Sequence, residues 1–226
     1  DGFTNFGLRI AEINGGSLRN AIPRESFAKV VVDSISRASF LFETNALITQ
    51  IKNEFSTIEP NLSIKIEEIS QLKNVVELGV QESFLRAMYA ALNGVYKMSP
   101  DVEGLVETSN NIAKVDLKNG KIQIGCLTRS SSESSKLDLA NSIRSSFELA
   151  GFEVEFSGAY PGWLPNMNSE ILQIVSNTYR KLFEKKPKIM ACHAGLECGI
   201  LGQNYPKMDM ISFGPNIKGA HSPDER

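Results

Sequence analysis

The residues best suited to chemistry stand near the end of the sequence, in His221-Ser222-Pro223-Asp224-Glu225. A neutral imidazole is the commonest protein ligand for zinc, and a carboxylate beside it can orient the ring. His221 follows an apolar run and a Gly/Pro loop. Such a position is where strands of an open α/β sheet end and ligands bind. The same string also reads as a surface loop whose His and acids are merely solvated, and spacing alone favours that reading. A second group is His193-Ala194-Gly195-Leu196-Glu197-Cys198-Gly199. Gly195 permits close backbone approach, and the helix start beyond it could hold a carboxylate, so the turn can floor a pocket for a peptide terminus. Alternatively it is a tight turn with His193 hydrogen-bonded in the core. The chain has only 2 His, too few to make a zinc centre unaided. Neither His-x-Asp nor HExxH occurs.

Two further positions are candidates for gripping a substrate. The string Gly15-Gly16-Ser17-Leu18-Arg19-Asn20-Ala21-Ile22-Pro23-Arg24-Glu25 is unusually polar for a strand connection. The Asn20 amide there can bond a carbonyl oxygen, or it can be a turn residue bonding its own backbone. Arg129, in Thr128-Arg129-Ser130-Ser131, can clamp a carboxylate bidentately or stand as a surface cation. The Ser130–Ser135 run lacks the Gly-x-x-x-x-Gly-Lys pattern of a phosphate cradle and fits the capping of a following helix.

Periodicity supplies the elements that must position these groups. Strands are expected over 8–14 and 27–33, and a helix over 36–55 stopping before Pro60. A half-buried strand over 62–69 (LSIKIEEI) and a helix over 78–92 follow. Over 103–128 two alternating runs flank Asn119-Gly120, the pair that a tight hairpin turn with positive φ at both centres favours. A helix over 133–150 should end at Gly151, followed by a strand over 152–156. The Pro/Gly cluster Ser157–Pro165 reads as a linker. Beyond it come a helix over 169–184, an apolar strand over 188–192, a helix from 196 and a strand over 210–213. The expected fold class is α/β and α+β: residues 1–157 with an antiparallel sheet and helices, then 158–226 as part of an α/β domain. A weak internal echo suggests a duplicated strand–strand–helix–strand unit.

Composition narrows the function classes. With 226 residues, 24 Lys and Arg, and 26 Asp and Glu, the net charge is -2, so no basic field invites nucleic acid. No apolar run spans a bilayer, and no basic-then-apolar leader is present. Three cysteines without a CxxC pair argue against a disulfide scaffold and fit a reducing cytosol. Both ends read as cut, since the sequence opens without Met and stops on polar residues.

The strings GGSLRNAIPRESF, NGVYKMSPDVEGLVETSNN, TRSSSES, SGAYPGW, HAGLECG and MDMISFGPNI…HSPDER together resemble aminoacyl-histidine dipeptidases, the Xaa-His or peptidase D type also called cytosol non-specific dipeptidase. The resemblance runs from about Leu8 to Arg226. It implies a cytoplasmic hydrolase of dipeptides, with two zinc ions per active site that cobalt or manganese can replace. It also implies a lid domain inserted into the catalytic domain, with residues 1–157 as lid and 158–226 as the returning part of the catalytic domain. A homodimer formed through the lid is a further expectation. By that resemblance His221 matches the last metal ligand of the family. Asn20 and Arg129 match lid groups that meet the substrate oxyanion and terminal carboxylate, and Gly195 lies in a pocket segment. The other ligands, the Glu-Glu pair with the general base and the lid Gly-His-Ser-Gly have no counterpart in this sequence. The polypeptide as it stands is therefore expected to be inactive. The rival expectation is a non-catalytic α+β module for ligand binding or dimerisation.

Overall fold

A computed structural model of the chain describes residues 5–69, 72, 74–191, 193, 196–219 and 226. Its elements in chain order are β1 (Arg9–Gly16), β2 (Ser26–Val31), a 3-10 turn (Ser34–Ser36), α1 (Arg37–Glu54), α2 (Leu78–Ala90), β3 (Gly94–Met98), β4 (Val106–Lys118), β5 (Lys121–Ser130), α3 (Glu133–Leu149), α4 (Glu170–Phe183) and α5 (Leu196–Asn204). They fall into two compact units. One comprises Asp1–Gly16, Pro23–Ser83 and Lys114–Ile124, and the other Ser17–Ile22, Phe84–Ala113 and Gly125–Arg226.

In the first unit β1 is the middle strand. It pairs antiparallel with β2, Arg9 opposite Val31 and Gly15 opposite Ser26, with a register shift between Ile10 and Glu12. On its other side it pairs antiparallel with β4, Ile13 opposite Leu117. At the shifted residue the ladder is completed by a side chain. Gln81, fully buried on α2, accepts from the Ile10 N–H at 2.7 Å and donates to the Leu8 carbonyl at 3.0 Å. Both ends of the buried Gln81 amide are thus paired, as burial demands. The β4–β5 turn shows the expected geometry, with φ of 53° at Asn119 and 75° at Gly120.

In the second unit β3 pairs antiparallel with the first half of β4, Gly94 opposite Asn110. Helix α3 buries Leu139, Ile143 and Phe147, an i, i+4, i+8 stripe on one face. It ends where expected, at Gly151 with φ 86°. Helix α4 starts on Ser169, whose hydroxyl accepts from the Leu172 N–H. That hydroxyl also donates to Asp209 at 2.9 Å, and Asp209 accepts from the Ile171 N–H at 3.0 Å. The Ile171 amide and the Ser169 hydroxyl hold the Asp209 carboxyl below its usual range.

Four expected strands are not formed. Residues 62–69, 152–156, 188–191 and 210–213 carry no ladder; Cys192 lies outside the described residues. Their side-chain alternation is real in places. Leu62, Ile64, Phe152 and Val154 are half-buried while their immediate neighbours are exposed. A strand, however, needs a free edge to pair with as well as a pleated pattern, and among the described residues none of the four finds one. The internal echo accordingly survives as two strand–strand–helix runs, β1-β2-α1 and β4-β5-α3, each without its closing strand.

Two glycines of the second unit mark where packing leaves no room for a methyl group. A Cβ on Gly199 of α5 would lie 2.6 Å from the Pro161 carbonyl oxygen, and one on Gly162 would lie 2.6 Å from that of Ser131. In both cases the obstructing atom is backbone and cannot rotate away. Gly199→Ala therefore loses stability although alanine favours a helix by about 1 kcal/mol. Overpacking of this kind costs about 1–3 kcal/mol, so the expected result is a net fall in the urea midpoint of the chain for both Gly199→Ala and Gly162→Ala. A rise for Gly199→Ala would show that α5 does not sit on residues 161–162 as described.

Candidate functional site

The site is built on the alternation of β4. Thr108 and Asn110 turn to one face and are buried. Ser109 and Asn111, between and beyond them, turn to the other. On the buried face Thr108 Oγ1 lies 2.8 Å from Ser130 Oγ. Asn110 donates to the Leu92 carbonyl at 2.8 Å and accepts from Thr128 at 3.0 Å. Next to them Glu107, 7% exposed, meets the Lys97 ammonium at 3.0 Å. Burial opposes its ionisation, but hydrogen bonds from Lys97, Ser135 and Thr108 outweigh that and hold the carboxyl below its ordinary value. This satisfied polar layer fixes the end of the hairpin from which Arg129 projects.

On the opposite face the strand collects residues distant in sequence. Ser109 Oγ lies 2.8 Å from His193 Nε2. Asn111 donates to the carbonyls of Ala21 at 2.7 Å and Arg19 at 3.3 Å, which bracket Asn20. Asn20 itself is exposed in the turn that follows β1. Arg129, half-buried on β5, is close enough to His193 to act on its charge. Burial first, and the Arg129 guanidinium second, push the His193 pKa below its ordinary value. The Nε of Arg129 is buried and has no hydrogen-bond partner among the described residues. An unused guanidinium N–H beside a neutral imidazole suits a carboxylate, which could accept from both. Gly195 and His221 lie outside the described residues. Leu196, directly after Gly195, holds a φ of 48°, a strained conformation for a branched residue.

The other chemically competent groups are occupied or quiet. Burial pushes the Cys126 and Cys198 thiols up, so neither is a ready thiolate. An open cleft of about 850 Å³ is lined by residues including Lys136, Tyr160, Trp163, Lys207 and Asp209. Its Lys136 is already paired with Glu133 and the Tyr160 carbonyl, and its Asp209 with α4. Among the described residues no three of His, Cys, Asp or Glu come together as a metal site.

His193 carries a pH signature with a definite sign. A histidine whose folded pKa lies below its unfolded value of 6.5 binds fewer protons when folded. Stability then rises with pH up to about 6.5 and is lost as pH falls below it. Thermal midpoints measured between pH 5 and 7.5 should fall on the acid side, and His193→Gln should flatten that slope. An unchanged slope in the variant would mean that His193 is not the group responsible.

A model of Peptidase family M20/M25/M40 matches residues 23–226. The chain belongs to this peptidase family. It is 42% identical to the cytosol non-specific dipeptidase of Escherichia coli (strain K12), over 97% of this chain and 45% of that protein. The crystal structure of aminoacylhistidine dipeptidase from Vibrio alginolyticus matches with a TM-score of 0.88 and 42% identity, covering 99% of this chain and 46% of that one. The resemblance drawn from the motifs, and the mixed helix and sheet class with its antiparallel sheet, are thus borne out. The rival reading as a non-catalytic module is not favoured by membership of this peptidase family. The chain spans about half the length of the relatives it matches.

Sequence reasoning names Asn20 and Arg129 but misses Ser109 and Asn111. The available signal was the run Thr108-Ser109-Asn110-Asn111, four polar residues in a strand where one face should have been apolar.

Proposed function

We propose that the chain supplies the substrate grip of a dipeptidase of the aminoacyl-histidine type, hydrolysing Xaa-His and other dipeptides. The observation that carries this reading is the buried Nε of Arg129, without a hydrogen-bond partner among the described residues, beside a His193 with lowered proton affinity. In this reading Arg129 clamps the terminal carboxylate of the dipeptide, Asn20 bonds the oxygen of the scissile carbonyl as it gains charge, and the turn at Gly195 floors the pocket. Residues 1–157 act as the lid and 158–226 as the carboxyl-terminal part of the catalytic domain.

The family implies divalent metal, and we assign two zinc ions with His221 as one ligand, cobalt or manganese being alternatives. Bound metal would polarise the carbonyl and activate water. The described residues form no donor set for it, so the steps assigned to this chain are binding and orientation. A second copy is the partner proposed for residues 1–157, where Phe27, Ile35 and Phe42 stand 64%, 93% and 77% exposed. The cytoplasm is the proposed location: the Escherichia coli relative is named for the cytosol, and no helix among the described residues is long and apolar enough to cross a membrane.

Arg129→Lys in the complete enzyme tests the reading. An ammonium keeps the charge but loses the bidentate fork, so KM for dipeptides should rise strongly with kcat kept. Unchanged KM and kcat would return Arg129 to the role of a surface cation.

A further inference from the structure

We propose that Asn111 is a positioning residue: its side-chain amide sets the loop 17–22 so that Asn20 faces the substrate. The proposal rests on the role of Asn20 as a donor to the substrate carbonyl; the hydrogen bonds that motivate it do not.

The loop has little else to hold it. Leu18 and Ile22, its large apolar residues, are 62% and 82% exposed, so no hydrophobic anchor draws it onto the unit. Within the loop one turn bond links the Ala21 N–H to the Leu18 carbonyl at 3.1 Å, which shapes the turn without attaching it to anything. Among the described residues, attachment comes from two side chains. Arg19 reaches Ser157 Oγ at 3.2 Å, an exposed contact. Asn111 Nδ2 donates to Ala21 O at 2.7 Å and Arg19 O at 3.3 Å, the two carbonyls that flank Asn20 on either side.

The chemistry explains why an amide stands at this position. Two carbonyl acceptors facing one side chain ask for a group that donates twice, and an Asn nitrogen carries two N–H bonds. An aspartate of the same shape would turn both contacts repulsive. A serine has a single O–H donor. Because Asn111 lies on a paired strand while the loop does not, the strand is the reference and the loop the part positioned. The face of β4 that carries Asn111 also carries Ser109, which holds His193. One strand face thereby sets the loop of Asn20 and the side chain next to Arg129.

The test uses Asn111→Asp and Asn20→Ala, singly and together, with Asn111→Ala as a second variant should the aspartate fold poorly. Amide hydrogen exchange on the 226-residue chain should speed up about tenfold or more in Asn111→Asp at the Ala21 amide, the hydrogen-bonded N–H of 17–22, as expected for loss of attachment of a loop, with β4 and β5 unchanged. In the complete enzyme Asn111→Asp should lower kcat with KM nearly unchanged. The double variant should be no slower than Asn20→Ala alone, since both act on one contact. A residue that merely stabilised the fold would give losses that add. Unchanged exchange at the Ala21 amide in both Asn111 variants, or additive kcat losses, overturns the proposal. If Asn20→Ala alone leaves kcat intact, the role of Asn20 fails and this proposal falls with it. If Asn20→Ala is slow but Asn111→Asp is not, Asn20 keeps its role and Asn111 is no positioning residue.

Discussion

Asn20→Ala in the complete enzyme is expected to lower kcat by about 10²–10³-fold, the usual loss when one donor to a developing oxyanion is removed. KM should move little. The reason for the split is that a neutral carbonyl accepts an amide hydrogen bond weakly, whereas the oxyanion formed on attack accepts it strongly. A contact that strengthens only in the transition state appears in kcat and not in ground-state binding. Asn20 suits that role by its surroundings. It is exposed in its turn, and the carbonyls on either side of it are engaged by Asn111. Arg129→Lys should show the opposite signature, raised KM with kcat retained, because a terminal carboxylate carries its full charge in both substrate and transition state. Steady-state kinetics on one dipeptide with both variants separates the two roles. Were Asn20→Ala to raise KM alone, Asn20 would be a ground-state contact and the oxyanion assignment would be lost.

What the residues reveal follows the range of the interactions involved. The Asn119-Gly120 turn and the stop at Gly151 rest on single-residue backbone preferences, and both have the positive φ that their sequence asks for. The α3 stripe Leu139, Ile143 and Phe147 is legible because a helix carries its own hydrogen bonds and needs only a face to bury. The strands expected over 152–156 and 188–192 fail because a strand's hydrogen bonds belong to a neighbour that local pattern does not reveal. The site suffers from the same limitation. Ser109 and His193 are 84 residues apart, and Asn111 and Ala21 are 90 apart. Nothing in either local string announces its partner. Asn20 and Arg129 stand out through family resemblance, while their residue types leave surface readings open.

The 226-residue polypeptide by itself is expected to bind zinc weakly, to hold no dinuclear site and to leave dipeptides intact. A catalytic zinc takes about three protein ligands, and a pair of zinc ions takes more. His221 is the one residue of this sequence that we propose as a metal ligand. Among the described residues no three of His, Cys, Asp or Glu come together as a metal site, and two of the carboxylates are already engaged. Glu107 is paired with Lys97 in a buried layer, and Asp209 accepts from Ser169 and Ile171 at the start of α4. Burial keeps Cys126 and Cys198 as thiols, which must lose a proton before they bind metal. Asp224 and Glu225 beside His221 can orient an imidazole, but they do not replace a bridging carboxylate or a general base. Metal analysis after dialysis, with a dipeptidase assay run beside the complete enzyme, checks both halves of the expectation. Two equivalents of tightly held zinc, or turnover near that of the complete enzyme, would mean that a whole active site resides in this chain and that its ligands are residues other than those assigned to it.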